Sequence, residues 1–236
     1  MPGFGGTPTL VGRTLGNDDF NSEKLTAFEL GYRLQLNESS SIDLAAFHNR
    51  YSDVSSFEVT AFGDIINPNN PPATLSIPST RAFSNKREVT SQGLEMVYDW
   101  HPAQHWKLQA AYAYIQLDDD TGTDSSDPLS RAFIEGATPE NQLSLRLSHD
   151  FSPSLALDTW LYYIDELAQS AQSQASRVAD YTSINVRLGW QARKNLELSL
   201  VGQNLGDERH GEFVGENLVT RSELERAAYL QLRMDF

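Results

Sequence analysis

The chain has 236 residues, 39% of them hydrophobic, and no cysteine, so neither a disulfide framework nor a thiolate metal site is open to it. A formal charge of −14 and a pI near 4.7 set it against nucleic acid, whose phosphates it would repel. With a mean hydropathy of −0.44 and no apolar run of about 18 residues, a transmembrane helix is excluded. A membrane barrel is not excluded, because a spanning strand needs apolar residues only at alternate positions.

Residues 1–6 show neither the basic nor the apolar region of a secretory signal. Residues 1–23, rich in Gly, Thr, Asn and Asp, read as loop. Period-two alternation then predicts a first strand over 24–36, with Phe28, Leu30, Tyr32, Leu34 and Leu36 on one face and Glu29, Gly31, Arg33 and Gln35 on the other. After a short turn at 37–40, a second strand runs from 41 to about 57 and is less cleanly amphipathic beyond His48. A long connection over 59–82 contains Asn67-Pro68-Asn69-Asn70-Pro71-Pro72.

The third strand, 83–100, ends with Leu94, Met96, Tyr98 and Trp100 on one face. A turn at 101–105 leads to a fourth strand carrying Trp106, Leu108, Ala110, Tyr112 and Tyr114, then to an acidic loop over 118–138. The fifth strand sets Leu143, Leu145 and Leu147 against Gln142, Ser144 and Arg146, and the sixth carries Leu155, Leu157, Leu161 and Tyr163. A loop over 166–179 precedes a seventh strand with Ile184, Val186, Leu188 and Trp190, and a turn at 192–195 precedes an eighth with Leu196, Leu198 and Leu200. After a loop over 206–222 the chain closes on a strand with Leu230, Leu232, Met234 and Phe236 on one face and Tyr229, Gln231, Arg233 and Asp235 on the other.

Connections therefore alternate between short turns and long loops, as in outer-membrane barrels. Tyr98, Trp100, Trp106, Phe151 and Trp190 gather beside the short turns, where an interfacial aromatic girdle belongs. The aromatic ending over Tyr229, Leu230, Leu232, Met234 and Phe236 suits a barrel-closing strand that signals assembly. A soluble β-sandwich gives the same alternation within each strand but has no reason to alternate its loop lengths.

Other constellations carry less. The cluster Asp118, Asp119, Asp120, Asp124 and Asp127 lacks the spacing of a calcium loop and reads as a solvated loop. His101 and His105 flank a proline in a turn, and His48, His149 and His210 are isolated. Arg33, Glu95, Arg146, Asp158, Arg187, Glu197 and Arg233 share the polar face and read mainly as cross-strand pairs. Arg81, Arg131 and Arg177 in the long loops are candidate contacts for an anionic ligand. With no G-x-S-x-G or comparable nucleophile motif, the chain reads as a non-enzyme without cofactor or metal.

Several segments resemble TonB-dependent outer-membrane receptors. Leu15-Gly16-Asn17-Asp18-Asp19-Phe20 through Glu29-Leu30-Gly31-Tyr32-Arg33 is similar to the family's N-P-x-L-x-x-E…E-x-G-Y-R segment. Ala46-Phe47-His48-Asn49-Arg50-Tyr51 resembles A-F-Y-N-R-Y, Gly93-Leu94-Glu95 resembles G-x-E, and Gln203-Asn204-Leu205-Gly206-Asp207 resembles the N-L-F-D segment. The resemblance implies an all-β antiparallel transmembrane barrel of about 22 strands, of which this chain supplies about nine at the C-terminal end. On that reading residues 1–23 are an extracellular loop segment and 24–236 the C-terminal part of the barrel. It further implies uptake of a scarce bulky solute, such as a ferric siderophore. The implied partners are outer-membrane lipid, the barrel-assembly machinery, a small-molecule ligand, and TonB reached through a plug domain that this chain lacks. The expected location is the Gram-negative outer membrane. The competing readings are another outer-membrane barrel, either a small barrel enzyme or a porin-like protein, and a soluble all-β binding protein.

Overall fold

The computed structural model describes residues 13–66, 74–127, 135–136, 138–167, 178–212 and 222–235. Its strands are β1 (Arg13–Leu15), β2 (Lys24–Asn37), β3 (Ser40–Ile66), β4 (Thr74–Ala103), β5 (Trp106–Thr121), β6 (Asn141–Ser152), β7 (Leu155–Ile164), β8 (Tyr181–Arg193), β9 (Leu196–Gln203), β10 (Arg209–His210), β11 (Leu224–Glu225) and β12 (Ala227–Met234). Nine of them lie in the order β12-β9-β8-β7-β6-β5-β4-β3-β2, so each strand neighbours the one next in sequence except where β10 and β11 intervene as a small ribbon. The expected all-β antiparallel architecture is what the chain adopts.

Two compact units divide the chain. The larger comprises Ala27–Asn49, Ser91–Asp118 and Ala132–Phe236. In it the register sorts the side chains. Trp106, His149, Leu157, Leu188, Leu200 and Leu230 form one row across six strands. The next row is Leu108, Leu147, Thr159, Val186, Gly202 and Ala228, and a third runs Ala110, Leu145, Leu161 and Ile184. One position along, the rows turn polar, as in Lys107, Ser148, Asp158 and Arg187. Because the side-chain period is two, this register places most large aliphatics of these strands on one face, Val201 opposite Arg187 and Ile164 opposite Gln142 being exceptions. That face is bare: Leu30 is 74% exposed, Leu230 80% and Leu232 63%. A water-soluble sheet covers such a surface.

The four short turns of this unit sit at one end of the sheet, with turn residues Glu38-Ser39, Gln104-His105, Pro153-Ser154 and Lys194-Asn195. Each is latched by the strand beyond it. The amides of His101, Asp150, Gln191 and Asp235 donate to the carbonyls of Ser39, His105, Ser154 and Asn195 at 2.7, 3.0, 2.8 and 3.1 Å. Neighbouring hairpins are thereby tied together where their turns would otherwise leave carbonyls unpaired.

The smaller unit comprises Met1–Thr26, Arg50–Thr90 and Asp119–Arg131, and here several expectations are corrected. Residues 1–23 are not all loop, since Arg13–Leu15 pairs in parallel with Thr80–Ala82. The connection expected over 59–82 is largely strand, because β3 runs to Ile66 and β4 starts at Thr74, while the Asn-Pro run lies outside the described residues. The Asn-Pro run suits a loop, but the strands on either side reach further than it implies, and the face they bury is partly polar, with Ser56, Glu58 and Arg87, so it carries little apolar alternation. The irregularity after His48 has a local cause: Asp53 takes φ 58°, a left-handed residue that disrupts the alternation of β3.

In the larger unit the loop over 166–179 holds a bridge between Leu167 and Val178, and the loop over 206–222 begins the β10–β11 ribbon.

Gly93, in the family-like Gly93-Leu94-Glu95, is a point of close approach. A Cβ there would lie 2.3 Å from the carbonyl oxygen of Tyr114 and 2.6 Å from the ring of Phe47. Gly93→Ala is therefore expected to destabilise the sheet by about 1–3 kcal/mol, the range of core overpacking. A lowered unfolding temperature in detergent, read by gel mobility, would register it, and unchanged unfolding would show that β4 and β5 part freely.

Candidate functional site

Polar chemistry collects in two places, one in each unit. In the larger unit a chain of charge crosses four strands of the polar face. Ser148 Oγ donates to Asp158 Oδ1 at 2.7 Å, and Asp158 Oδ2 accepts from Arg187 Nη1 at 2.9 Å. Arg187 also pairs through Nη2 with Glu197, which accepts from Ser199 Oγ at 2.9 Å. Gly189 makes room for it, since a Cβ there would meet the Arg187 guanidinium at 2.9 Å. One cation shared by two carboxylates is a satisfied structural network, and it borders a recess of about 460 Å³ lined by His105, Asp150, Ser154, Arg187 and Glu197 among others. Of the other polar-face residues, Arg33 pairs with Asp43, Arg146 lies over the Trp160 ring at 5.1 Å, and Arg233 is 3.7 Å from Asp235.

The expected girdle residues fall as follows. Trp106 stacks on His149 with centroids 3.9 Å apart, and Phe151, bulged out of register, meets the same imidazole edge-on at 4.5 Å. Trp190 is in register with Leu155 and Leu198 and is 51% exposed, Trp100 is exposed and Tyr98 half-buried. His149, uninformative in sequence, is the ring that joins Trp106 to Phe151. Tyr229 pairs opposite Val201 on the polar face, whereas Leu230, Leu232 and Met234 pair opposite Leu200, Leu198 and Leu196. Phe236 lies outside the described residues, as do Arg131 and Arg177.

At the far end of the sheet from the short turns, Asp165 accepts from Tyr163 Oη at 2.7 Å and Asn141 Nδ2 at 2.6 Å. Those bonds hold its carboxyl below the usual carboxylate range. His210, also isolated in sequence, is half-buried, stacks on Tyr181 at 4.1 Å and lies 3.2 Å from Glu212. Asn204, from the family-like Asn-Leu pair, ends β9 with φ 50°, its amide donating to Asn185 Oδ1 at 3.0 Å.

The reading of the acidic cluster as a solvated loop is corrected for Asp119 and Asp127, which are buried, while Asp118, Asp120 and Asp124 are exposed. Asp119 lies in β5, is 0% exposed, and accepts from both Nε and Nη2 of the equally buried Arg87. The remaining Nη1 of Arg87 donates to Ser55 O at 2.8 Å. Asp124 pairs with Lys86 at 3.4 Å. Three alternate amides of β3 donate to side chains: Ser55 to Glu23 at 3.0 Å, Phe57 to Asp127 at 2.6 Å and Val59 to Ser126 at 2.8 Å. Carboxylates and a hydroxyl thus cap strand amides that water or another strand would otherwise take. Glu58 completes the clasp, accepting from Ser125 Oγ at 2.6 Å, Ser126 N at 2.6 Å and Ser126 Oγ at 2.9 Å. Burial pushes its carboxyl up, but the hydrogen bonds from Ser125, Ser126 and Ser56 outweigh this and bring it down to about 2.

Arg81, the one described member of the three candidate loop arginines, is half-buried, with its guanidinium carbon 5.3 Å from the centroid of Phe57. Phe57 in turn packs on Phe83 at 5.1 Å, and Phe83 meets Phe20 edge-on at 6.2 Å.

Removing one partner of the buried pair, as in Asp119→Ala, is expected to cost about 3–5 kcal/mol, because Arg87 keeps its charge in a dry site. The double change Arg87→Met with Asp119→Leu should cost clearly less, and equal losses in thermal unfolding would refute this account of the pair. For Glu58 the folded value lies below the ordinary 4.5, so its contribution is complete above pH 4.5 and is lost as pH falls through about 2. Hydrogen exchange at the Ser126 amide, corrected for intrinsic rate, should rise over that window and lose its pH dependence in Glu58→Gln.

A family model described as TonB dependent receptor-like, beta-barrel, matches residues 1–205. No curated protein matches the sequence. Among solved structures, the FrpB iron transporter from Neisseria meningitidis aligns over 95% of this chain and 33% of that one, with TM-score 0.68 and 14% identity. The siderophore receptor PirA from Acinetobacter baumannii aligns over 94% and 33%, with TM-score 0.67 and 17% identity. The ferric-catecholate import receptor Fiu from K12 E. coli aligns over 93% and 29%, with TM-score 0.66 and 17% identity. At such identities the likeness is one of fold, and the chain spans about a third of the length of these receptors. It belongs to the TonB-dependent receptor β-barrel family, the outer-membrane barrels of Gram-negative bacteria.

Proposed function

We propose that this chain is wall and loop structure of an outer-membrane receptor that takes up a scarce metal chelate, in the first place a ferric siderophore, with energy supplied through TonB. The observation that carries this reading is the two-faced sheet. Its mainly apolar rows suit acyl chains, and its opposite face is largely polar and charged. The similar receptors described as an iron transporter, a siderophore receptor and a ferric-catecholate import receptor point to iron as the cargo. TonB contact belongs to a plug domain outside this chain. The transport role itself calls for binding and passage, so no residue is assigned to catalysis and no cofactor is required.

Within that reading, Tyr98, Trp100, Trp106, Phe151 and Trp190 form the interfacial girdle at the short-turn end, where amphipathic rings meet the headgroups. Tyr229, Leu230, Leu232, Met234 and Phe236 form the closing strand on which the barrel-assembly machinery acts. Residues 1–23 belong to an extracellular segment, and 24–236 to the C-terminal part of the barrel.

Deleting the coding region for residues 24–236 in the host should abolish uptake of one class of radiolabelled iron chelate under iron limitation. A TonB-null strain should show the same loss for the same chelate. Uptake unchanged across a panel of chelates would refute the transport reading, and a loss that did not depend on TonB would point instead to a porin-like channel.

A further inference from the structure

Resting on the receptor reading, we propose that His149, framed by Trp106 and Phe151, is a headgroup site for a lipid with a primary ammonium, phosphatidylethanolamine. The group lies wholly in the larger unit. His149 belongs to the row that runs from Trp106 through Leu157, Leu188 and Leu200 to Leu230, and it is the one titratable side chain in it. Its apolar neighbours in register mark the row as lipid-facing. An imidazole in such a row carries two polar nitrogens that hydrocarbon cannot answer.

The protein answers one of them. His149 Nδ1 lies 3.1 Å from the carbonyl oxygen of His105, which also accepts from the Asp150 amide at 3.0 Å. A carbonyl oxygen only accepts, so this contact requires the proton on Nδ1. In the neutral ring Nε2 then carries a lone pair and no hydrogen. Nε2 has no protein partner among the described residues and is not enclosed. The chain thus presents a hydrogen-bond acceptor on its lipid face, beside the short turn Gln104-His105.

Two rings hold that acceptor in place. Trp106 stacks on the imidazole with centroids 3.9 Å apart, and Phe151 meets it edge-on at 4.5 Å. Phe151 stands free of a ladder partner because the register shifts between Asp150 and Ser152. Trp106 is 38% exposed and Phe151 57% exposed, so both leave ring surface open to a headgroup. With Nδ1 tied to His105 and a ring stacked on its face, the imidazole has little freedom to aim Nε2 elsewhere.

The arrangement selects by headgroup chemistry. Aromatic ring surface attracts any cationic head, choline as well as ethanolamine. A hydrogen-bond acceptor favours the one with an N–H to give. An ethanolamine ammonium has three such donors, whereas choline is fully methylated. Further along β6 on the same face lie Leu147, Leu145 and Leu143, the last two exposed. A lipid whose head meets His149 therefore lays its acyl chains on aliphatic side chains.

The test is native mass spectrometry of the complete receptor in detergent. It is offered equimolar phosphatidylethanolamine and phosphatidylcholine with identical acyl chains, at a mildly basic pH where histidine is ordinarily neutral. Wild type should take up the ethanolamine lipid in preference by about threefold or more, the order of one net hydrogen bond. His149→Phe keeps a ring against Trp106 but removes both nitrogens, and should abolish the preference. His149→Gln gives up the ring but keeps an acceptor oxygen, and should retain part of it. Equal uptake of the two lipids by wild type would overturn the site while the receptor reading stands. A preference that survives His149→Phe would do the same, because the nitrogen is then idle. So would a preference lost equally in both variants, because packing alone then accounts for it. A complete protein that stays in solution without detergent and takes up neither lipid would overturn the receptor reading together with the site.

Discussion

The constraint on which everything else here depends is that a peptide group in hydrocarbon has no water to turn to. Each amide and carbonyl of a spanning strand must be matched by a neighbouring strand. Matching them fixes the register, and the register decides which residues meet lipid. The row from Trp106 through His149, Leu157, Leu188 and Leu200 to Leu230 exists because six strands hold one alignment. A slip of one residue in any strand would turn Asp158 or Arg187 toward the apolar side. Repeated latching of the short turns by the next strand acts on this same problem, since it pins each hairpin at the end where the ladder begins.

Where strands are not bound by lipid, other solutions appear. The smaller unit closes its free amides with Glu23, Asp127 and Ser126, and covers Thr80–Ala82 of β4 with the parallel strand β1. It also buries a full ion pair, Arg87 with Asp119. Such a pair adds little net stability over an apolar replacement, because desolvation offsets most of the attraction. Its effect is on alternatives: any arrangement that separates the two leaves a bare charge in a dry place. The Ser125–Ser126 turn is held to Glu58 by three hydrogen bonds on one carboxylate, which makes this stretch a fixed wall at neutral pH.

How much of this the sequence disclosed follows from the same physics. Strands of the larger unit were legible because one face is mainly apolar: the expected 24–36 became Lys24–Asn37, and Leu196 does open the eighth strand of the alternating series. The extents of β3 and β4 were not legible, since the face they bury carries Ser56, Glu58 and Arg87 and so gives little apolar period-two signal. The left-handed Asp53 showed only as a loss of alternation after His48. Asp119 looked like one more solvated carboxylate because its partner Arg87 lies 32 positions away and nothing local marks the pair. His149 and His210 were mute for a similar reason, as their ring partners Trp106 and Tyr181 come from other strands.

The same separation of constraints bears on cargo. Receptors for different solutes share this fold with the present chain at 14–17% identity, so the fold leaves most side chains free. Lipid dictates one face, and the ladder dictates register and a few glycines such as Gly93. On the wet face, cross-strand charge pairs such as Arg187 with Asp158 and Glu197 satisfy one another. Residues that answer to none of these demands are where selection for a ligand can act without harming the barrel.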